Sequence, residues 1–508
     1  MQGFDQKMYA TCYNVIKIMY RRPSRKRELI KRTFVYTAMT LLVAIIVTGL
    51  IFIILGYRID TQSGQVERSA LLQYNTTPTG ASVSIDGSLL GSNTPTKSTV
   101  LAGSHKFVMQ RDGYETWQKT LDIKAGTLTW LNYARLVPKV RPVAAVASYP
   151  TVHASLGTLD GQTIMVQQDA AVPQFQIVDV SNDTIKSTTI TLPTTLYSDA
   201  TTAGVTHSFK VDQWDSGGRY LLVEHAYAGK TEWLVVDTQD VASSKNITKS
   251  LDIGINYATF SGTSGDILYA LTGTDIRKLD LSAGTISRSL VSRVSSFELY
   301  ETNIITYVGT DQSTPANRVV GLYREGDSKS HILRTVTEPA TVPLHVTTAR
   351  YYNKDYIAIT DGQKVDILYG SYPASGSEDS SSLSTFASFK FVADVQRVSF
   401  SPAGFYLVVQ AGAQFAGYDI EHQTLTESSI TGVTGGSSAT LRWLDEAHLW
   451  TDVDGTLTMR DFDGANVFNI NGVVSGYDAT LTHNERYIYS IGKVGDNYQL
   501  QRVRMILP

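Results

Sequence analysis

Phe400-Ser401-Pro402-Ala403-Gly404-Phe405-Tyr406-Leu407-Val408-Val409 is the stretch on which the reading of this 508-residue chain turns. A short polar turn runs directly into an apolar strand led by aromatic residues. The same order returns at Trp214-Asp215-Ser216-Gly217-Gly218-Arg219-Tyr220-Leu221-Leu222-Val223. Fainter copies begin at Leu159, Gly265, Asn303, Asn353, Glu446 and Asn484. Aligned on the turn, the eight copies fall near residues 161, 218, 265, 302, 354, 404, 446 and 485. Their mean spacing is about 46 residues, the length of one four-stranded propeller blade. Many copies are followed by a strand that ends in an acid, as in Val235-Val236-Asp237, Lys278-Leu279-Asp280, Tyr418-Asp419 and Met459-Arg460-Asp461.

This pattern resembles the WD40-like and TolB-like β-propellers, although the Gly-His and Trp-Asp signatures of eukaryotic WD40 repeats are missing. Residues 139–508 are therefore read as a β-propeller of eight blades, or seven if one copy is miscounted. A plain two-sheet sandwich cannot hold so many units in one core. The last copy has only three clear strands before Pro508, so a strand from about residues 139–147 is expected to complete that blade and remove two exposed edges.

Upstream, residues 71–137 alternate short strands with turn residues. In Ala81-Ser82-Val83-Ser84-Ile85 the period of two marks a strand with one buried face, stopped at Asp86-Gly87. Further strands read at His105–Gln110, Gln118–Ile123 and Leu128–Ala134. The order Pro78-Thr79-Gly80-Ala81, Asp86-Gly87, Gly91, Thr94-Pro95, Gly103, Gly113-Tyr114 resembles the PEGA domain, with Thr79 where that family carries its glutamate. The resemblance implies a small β-sandwich-like module of surface and envelope proteins, a spacer or binding unit without catalysis.

Before this module lies a segment of another kind. From Thr33 to Tyr57 no residue is charged, and the interior is almost wholly aliphatic, long enough as a helix to cross a hydrocarbon layer of about 30 Å. A cleavable signal peptide is the rival reading, but Leu55-Gly56-Tyr57-Arg58-Ile59-Asp60 offers no convincing small-x-small site. Arg21, Arg22, Arg25, Lys26, Arg27, Lys31 and Arg32 precede the span, against Arg58 and Arg68 shortly after it. The positive-inside rule then places residues 1–32 in the cytoplasm as a basic tail and residues 58–508 outside, beginning with a linker over 58–70. Residues 1–34 hold nine Lys/Arg and two Asp/Glu, so the formal net charge of −3 is a sum of two unlike parts. The acidic bulk argues against a nucleic-acid partner, and the basic cluster reads as a contact for membrane lipid. The one cysteine, Cys12, falls before the span, so the exported part has no disulfide.

The sequence carries no catalytic or metal-binding motif on this frame. The nine histidines are scattered, with no pair at metal-ligand spacing. No nucleophile elbow, P-loop or dinucleotide fingerprint is present. Asp452-Val453-Asp454-Gly455 and Asp461-Phe462-Asp463-Gly464 resemble calcium loops faintly but read as hairpin turns around a strand over Thr456–Arg460. The serine-rich run 370–384 reads as a loop within one blade, and Tyr351, Tyr352, Trp443 and Trp450 are aromatics able to stack on a sugar or to fill the space between blades. The expected protein is mainly β, membrane-anchored by a single pass in the cell envelope, needs no cofactor and is not an enzyme. Its propeller is expected to serve as a binding or scaffolding surface for an envelope protein or polysaccharide. A hydrolase with channel carboxylates, acting on glycan or peptide, and a sensor signalling through the tail are the alternatives.

Overall fold

A computed structural model describes residues 25–54, 57–59, 66–337, 341–372, 383–433 and 439–508. It divides into two compact units, Met1–Met109 with Gln118–Ala134, and Gln110–Trp117 with Arg135–Pro508.

The smaller unit begins with one helix, Arg25–Ile54. At 1.5 Å per residue it is about 45 Å long, and its apolar side chains, among them Leu41, Ile45 and Phe52, are exposed. Among the described residues it is the helix long and apolar enough to cross a membrane. The bounds expected for this segment, 33–57, differ at both ends. Arg25, Lys26, Arg27, Lys31 and Arg32 lie inside the helix, because Lys, Arg and Glu are good helix formers and carry the backbone ladder past the apolar stretch. Tyr57 instead belongs to a strand, Tyr57–Ile59, which pairs antiparallel with Val66–Thr77, so the expected linker over 58–70 is partly sheet. Arg21 and Arg22 lie outside the described residues.

Two four-stranded sheets follow. One joins Tyr57–Ile59, Val66–Thr77, Thr96–Leu101 and Leu128–Arg135; the other joins Ser88–Leu89, Ser82–Ile85, Gly103–Gln110 and Trp117–Ile123. Alternation buries Leu72 and Tyr74 from the first sheet and Val83, Phe107 and Met109 from the second, with the Tyr74 and Phe107 rings 6.0 Å apart. The turn at Asp86-Gly87 needs positive φ at both residues (50° and 84°), which explains that pair of residue types.

The larger unit holds eight four-stranded antiparallel sheets among its described residues. Their first strands are Ala154–Gly157, His207–Trp214, Tyr257–Phe260, Val294–Tyr300, Leu344–Tyr351, Arg397–Phe400, Arg442–Trp443 and Thr480–Leu481, and they define blades 1 to 8 in that order. All eight turns read from the sequence lie at, or within one residue of, the link between first and second strands. The repeated residue types have a mechanical reason. In four of these turns a polar side chain, from Thr158, Asp215, Ser401 or Thr482, accepts the backbone N–H five residues ahead, at Thr163, Tyr220, Tyr406 or Tyr487. The acids that end third strands work likewise. Asp237 accepts the N–H groups of Gln239 and Asp240, and Asp280 those of Ser282 and Ala283, so each shapes the turn into the fourth strand.

Eight apolar clusters hold the blades together, each built from two consecutive sheets. The one containing Tyr149, Tyr489 and Leu500 from blade 8, with Ile164, Val166 and Val178 from blade 1, closes the ring. Blade 8 takes its outer strand from the beginning of the unit. Val143–Tyr149 pairs antiparallel with Asn497–Arg504, from Tyr149 opposite Tyr498 to Val143 opposite Val503. The eight-blade count therefore stands over seven, and the expected closing strand exists.

A polar network ties the chain entering the ring to blades 7 and 8. Arg135, 5% exposed, donates to Asp445 (Nε 3.0 Å, Nη2 2.8 Å) and lies 3.2 Å from Glu485. Asp445 also accepts the His448 N–H and faces its Nδ1 at 2.7 Å. Burial alone would raise the Asp445 carboxyl, but His448 and Arg135 beside it hold it well below the usual carboxylate range. Trp117 Nε1 donates to Asp461 at 3.0 Å, and Tyr114, nearly buried, accepts the Leu507 N–H at 2.7 Å.

Leu500→Ala should cost the full-length protein about 2–5 kcal/mol, because it opens a cavity at the closing blade interface. Asp445→Ala should cost about 3–5 kcal/mol, because Arg135 is left buried without its main partner. Denaturant unfolding of the detergent-solubilised chain measures both.

Candidate functional site: the channel of the ring

The first strands of the blades line the centre of the larger unit, and between blades 4 and 7 they enclose a pocket of about 430 Å³. The pleat selects what faces it. Ser296 and Glu298 of blade 4 are exposed to the channel while Phe297 between them is buried. Blade 5 supplies His345, blade 6 Arg397 and Ser399 with Gln396 just before its strand, and blade 7 Arg442 with Thr440 just before it.

Electrostatics divide this lining. Glu298 is reached by channel water yet walled by protein on most sides. That enclosure pushes its carboxyl up to about 7 against the opposing hydrogen bond to Thr347. Asp212 of blade 2 is also raised by burial, partly offset by Lys210, and Tyr257 of blade 3 is raised by burial with Asp212 and Glu298 nearby. On the other side, burial lowers His345, opposed by its hydrogen bond to the Val395 backbone, and its Nε2 is buried without a hydrogen-bond partner among the described residues. Arg442 spends its charge on Asp478 at 2.9 Å and lies over the Trp450 ring at 5.1 Å. For the Arg397 guanidinium no ion pair or side-chain hydrogen bond is found among the described residues. The pocket lining thus holds one cation without an ion pair among the described residues and one carboxyl raised to about 7.

A second polar cluster sits in blade 2. His207 Nδ1 and His225 Nε2 are 2.9 Å apart, and His225 Nδ1 lies 2.8 Å from Glu232. Burial would raise Glu232, but His225, Asn246 and Ser198 bond to it and bring it down to about 2. His225 stacks between Phe209 and Tyr227, with centroids at 4.4 and 5.0 Å. Eighteen positions apart in sequence, the two histidines carry no spacing motif; the strand register brings them together.

The residues singled out from the sequence are not gathered into one site. Pro78, Thr79, Gly80, Ala81, Asp86, Gly87, Gly91, Thr94, Pro95 and Gly103 belong to the smaller unit, whereas Gly113 and Tyr114 belong to the larger. Thr94 Oγ1 accepts the N–H groups of Gly80 (3.1 Å) and Ala81 (3.0 Å), and Asp86 accepts the Lys106 N–H at 2.8 Å and meets His105 at 2.6 Å. These contacts shape turns. Asp454 and Gly455 have positive φ before the strand Thr456–Asp461, and among the described residues no group of three His, Cys, Asp or Glu is placed to hold a metal ion. Of the four aromatics, Tyr351 and Trp450 are buried and Tyr352 is exposed. Residues 373–382 of the serine-rich run lie outside the described residues; the run connects Lys364–Gly370 to Ser384–Lys390 in blade 5.

Residues 70–138 match the PEGA domain model. A search of curated proteins finds no match. Among solved structures, the chain is similar to Kluyveromyces lactis Hsv2p (11% identity, TM-score 0.37, covering 70% of this chain and 100% of that one). It is also similar to an oligogalacturonate lyase in complex with manganese (12%, 0.37, 71% and 99%) and to a chain of the yeast Nup82-Nup159-Nup116 nucleoporin complex (11%, 0.38, 63% and 97%). These neighbours are β-propeller proteins; the ring assignment rests on the eight sheets and the closed series of blade interfaces.

A carboxyl raised in the native state binds its proton more tightly there than in the unfolded chain. Glu298 therefore lowers stability as pH rises from about 4.5 to about 7. Glu298→Gln should flatten that part of the profile, so that the variant gains on the wild type between pH 5 and pH 7.5 in thermal unfolding midpoints.

Proposed function

We propose that this protein is a membrane-anchored, extracytoplasmic binding protein of the cell envelope, in which the propeller channel receives part of a protein or polysaccharide partner. The carrying observation is the 430 Å³ pocket with the Arg397 guanidinium, which has no ion pair among the described residues, in its lining. Its size falls in the range of about 300–1,000 Å³ typical of small-ligand sites. An arginine without a partner in a partly enclosed site favours an anionic guest. The apolar helix, preceded and begun by basic residues, supports an anchor with its N-terminus in the cytoplasm. The PEGA match supports an outer-surface setting. The hydrolase reading draws on Glu298, whose raised carboxyl suits a general acid near neutral pH.

The full chain in lipid nanodiscs, used as bait against separated envelope protein and glycan fractions, tests the binding reading. Saturable retention of one class is the expected result, and retention of neither counts against it. Release of shorter products from the retained fraction, abolished by Glu298→Gln, would instead favour the hydrolase.

A further inference from the structure

We infer that the channel pocket takes a single acidic sugar unit, within a chain or at its end, with the sugar carboxylate on Arg397 and the ring hydroxyls on Gln396, Ser399 and Glu298. This rests on the binding reading above and specifies the guest.

Charge decides the anionic group. Arg442 is paired with Asp478 at 2.9 Å, which leaves Arg397 as the cation of this lining without an ion pair among the described residues, while Glu298 of blade 4 lines the same pocket. A carboxylate matches that single charge and the planar fork of a guanidinium. A phosphate monoester would bring a second negative charge to a pocket that already holds a carboxyl group.

Hydrogen bonding decides the body of the guest. Gln396 spends its carbonyl oxygen on the Gly412 N–H at 3.0 Å, which leaves its NH₂ as a donor. Ser399 accepts the Trp443 indole N–H at 3.0 Å and so keeps its own O–H to give. Glu298, exposed on the blade 4 side of the same lining, supplies carboxyl oxygens as acceptors. The lining thus holds both donors, at Gln396 and Ser399, and an acceptor, at Glu298, which is the demand a polyol meets, since each hydroxyl both gives and takes. Phe297, Val346, Val398 and Leu441 supply an apolar wall for the C–H face of a pyranose. A guest with one carboxylate and several hydroxyls fits this lining better than a fatty acid, whose chain would cover the Gln396 NH₂ and the Ser399 O–H without offering them an acceptor.

Isothermal titration of the full chain in nanodiscs with D-glucuronate, and with D-glucose as the neutral control, tests the assignment, using wild type and Arg397→Gln. Saturable glucuronate binding that is weakened about tenfold or more both by Arg397→Gln and by exchange for glucose is the expected result. Equal binding of the two sugars, equal binding by the variant, or no glucuronate binding up to about 10 mM overturns the assignment. Arg397 is exposed to the channel, and an unchanged thermal midpoint for Arg397→Gln shows that any loss belongs to the site. The binding reading fails separately: an envelope fraction still retained by Arg397→Gln would uphold a partner for the propeller while refuting this guest.

Discussion

The antiparallel pairing of Val143–Tyr149 with Asn497–Arg504 is the contact on which the larger unit depends. Without it, blade 8 would end in three strands with an open edge, and the first and last blades would share a smaller apolar interface. With it, Tyr149 and Leu500 enter the same cluster as Ile164 and Val178, and every blade is packed on both sides. No disulfide assists; the one cysteine is Cys12. The Arg135–Asp445–His448 network adds a polar tie before the closing strand, where the buried Arg135 charge is offset by the carboxylates of Asp445 and Glu485.

A closed ring also explains the character of the channel. Blades 4 to 7 contribute side chains from or next to their first strands, and each of these blades is packed between two neighbours. Such side chains sit on rigid elements instead of free loops, and a mostly walled site holds carboxyls in unusual protonation states, as at Glu298.

Much of the architecture was legible because it is written locally. The turn residues at Asp215 and Ser401 recur for a reason of backbone hydrogen bonding, and so do the acids at Asp237 and Asp280, which made the clearest copies countable. The PEGA-like turns were legible on the same grounds, since Asp86-Gly87 requires positive φ. The pocket was not. Glu298, His345, Arg397 and Arg442 stand about one blade length apart in sequence, and only ring closure brings them together. His207 and His225 escaped notice because a strand register, and no motif spacing, makes them neighbours. Gly113 and Tyr114 read as part of one continuous module, yet Tyr114 bonds to Leu507, nearly four hundred residues away, a pairing with no local mark.

The closing strand has a consequence in time. Tyr149 and Tyr498 are partners across almost the full length of the ring, so the last blade is completed only after Asn497–Arg504 has been synthesised. During that interval Val143–Tyr149 is a strand without a mate, emerging early and waiting for the end of the chain. Long-range closure of this kind is slow, and an unmated strand is open to wrong partners. Val143-Ala144-Ala145-Val146-Ala147-Ser148-Tyr149 carries no charge of its own, while Lys139 and Arg141 stand just ahead of it. Those flanking cations are suited to guard the strand until its partner arrives.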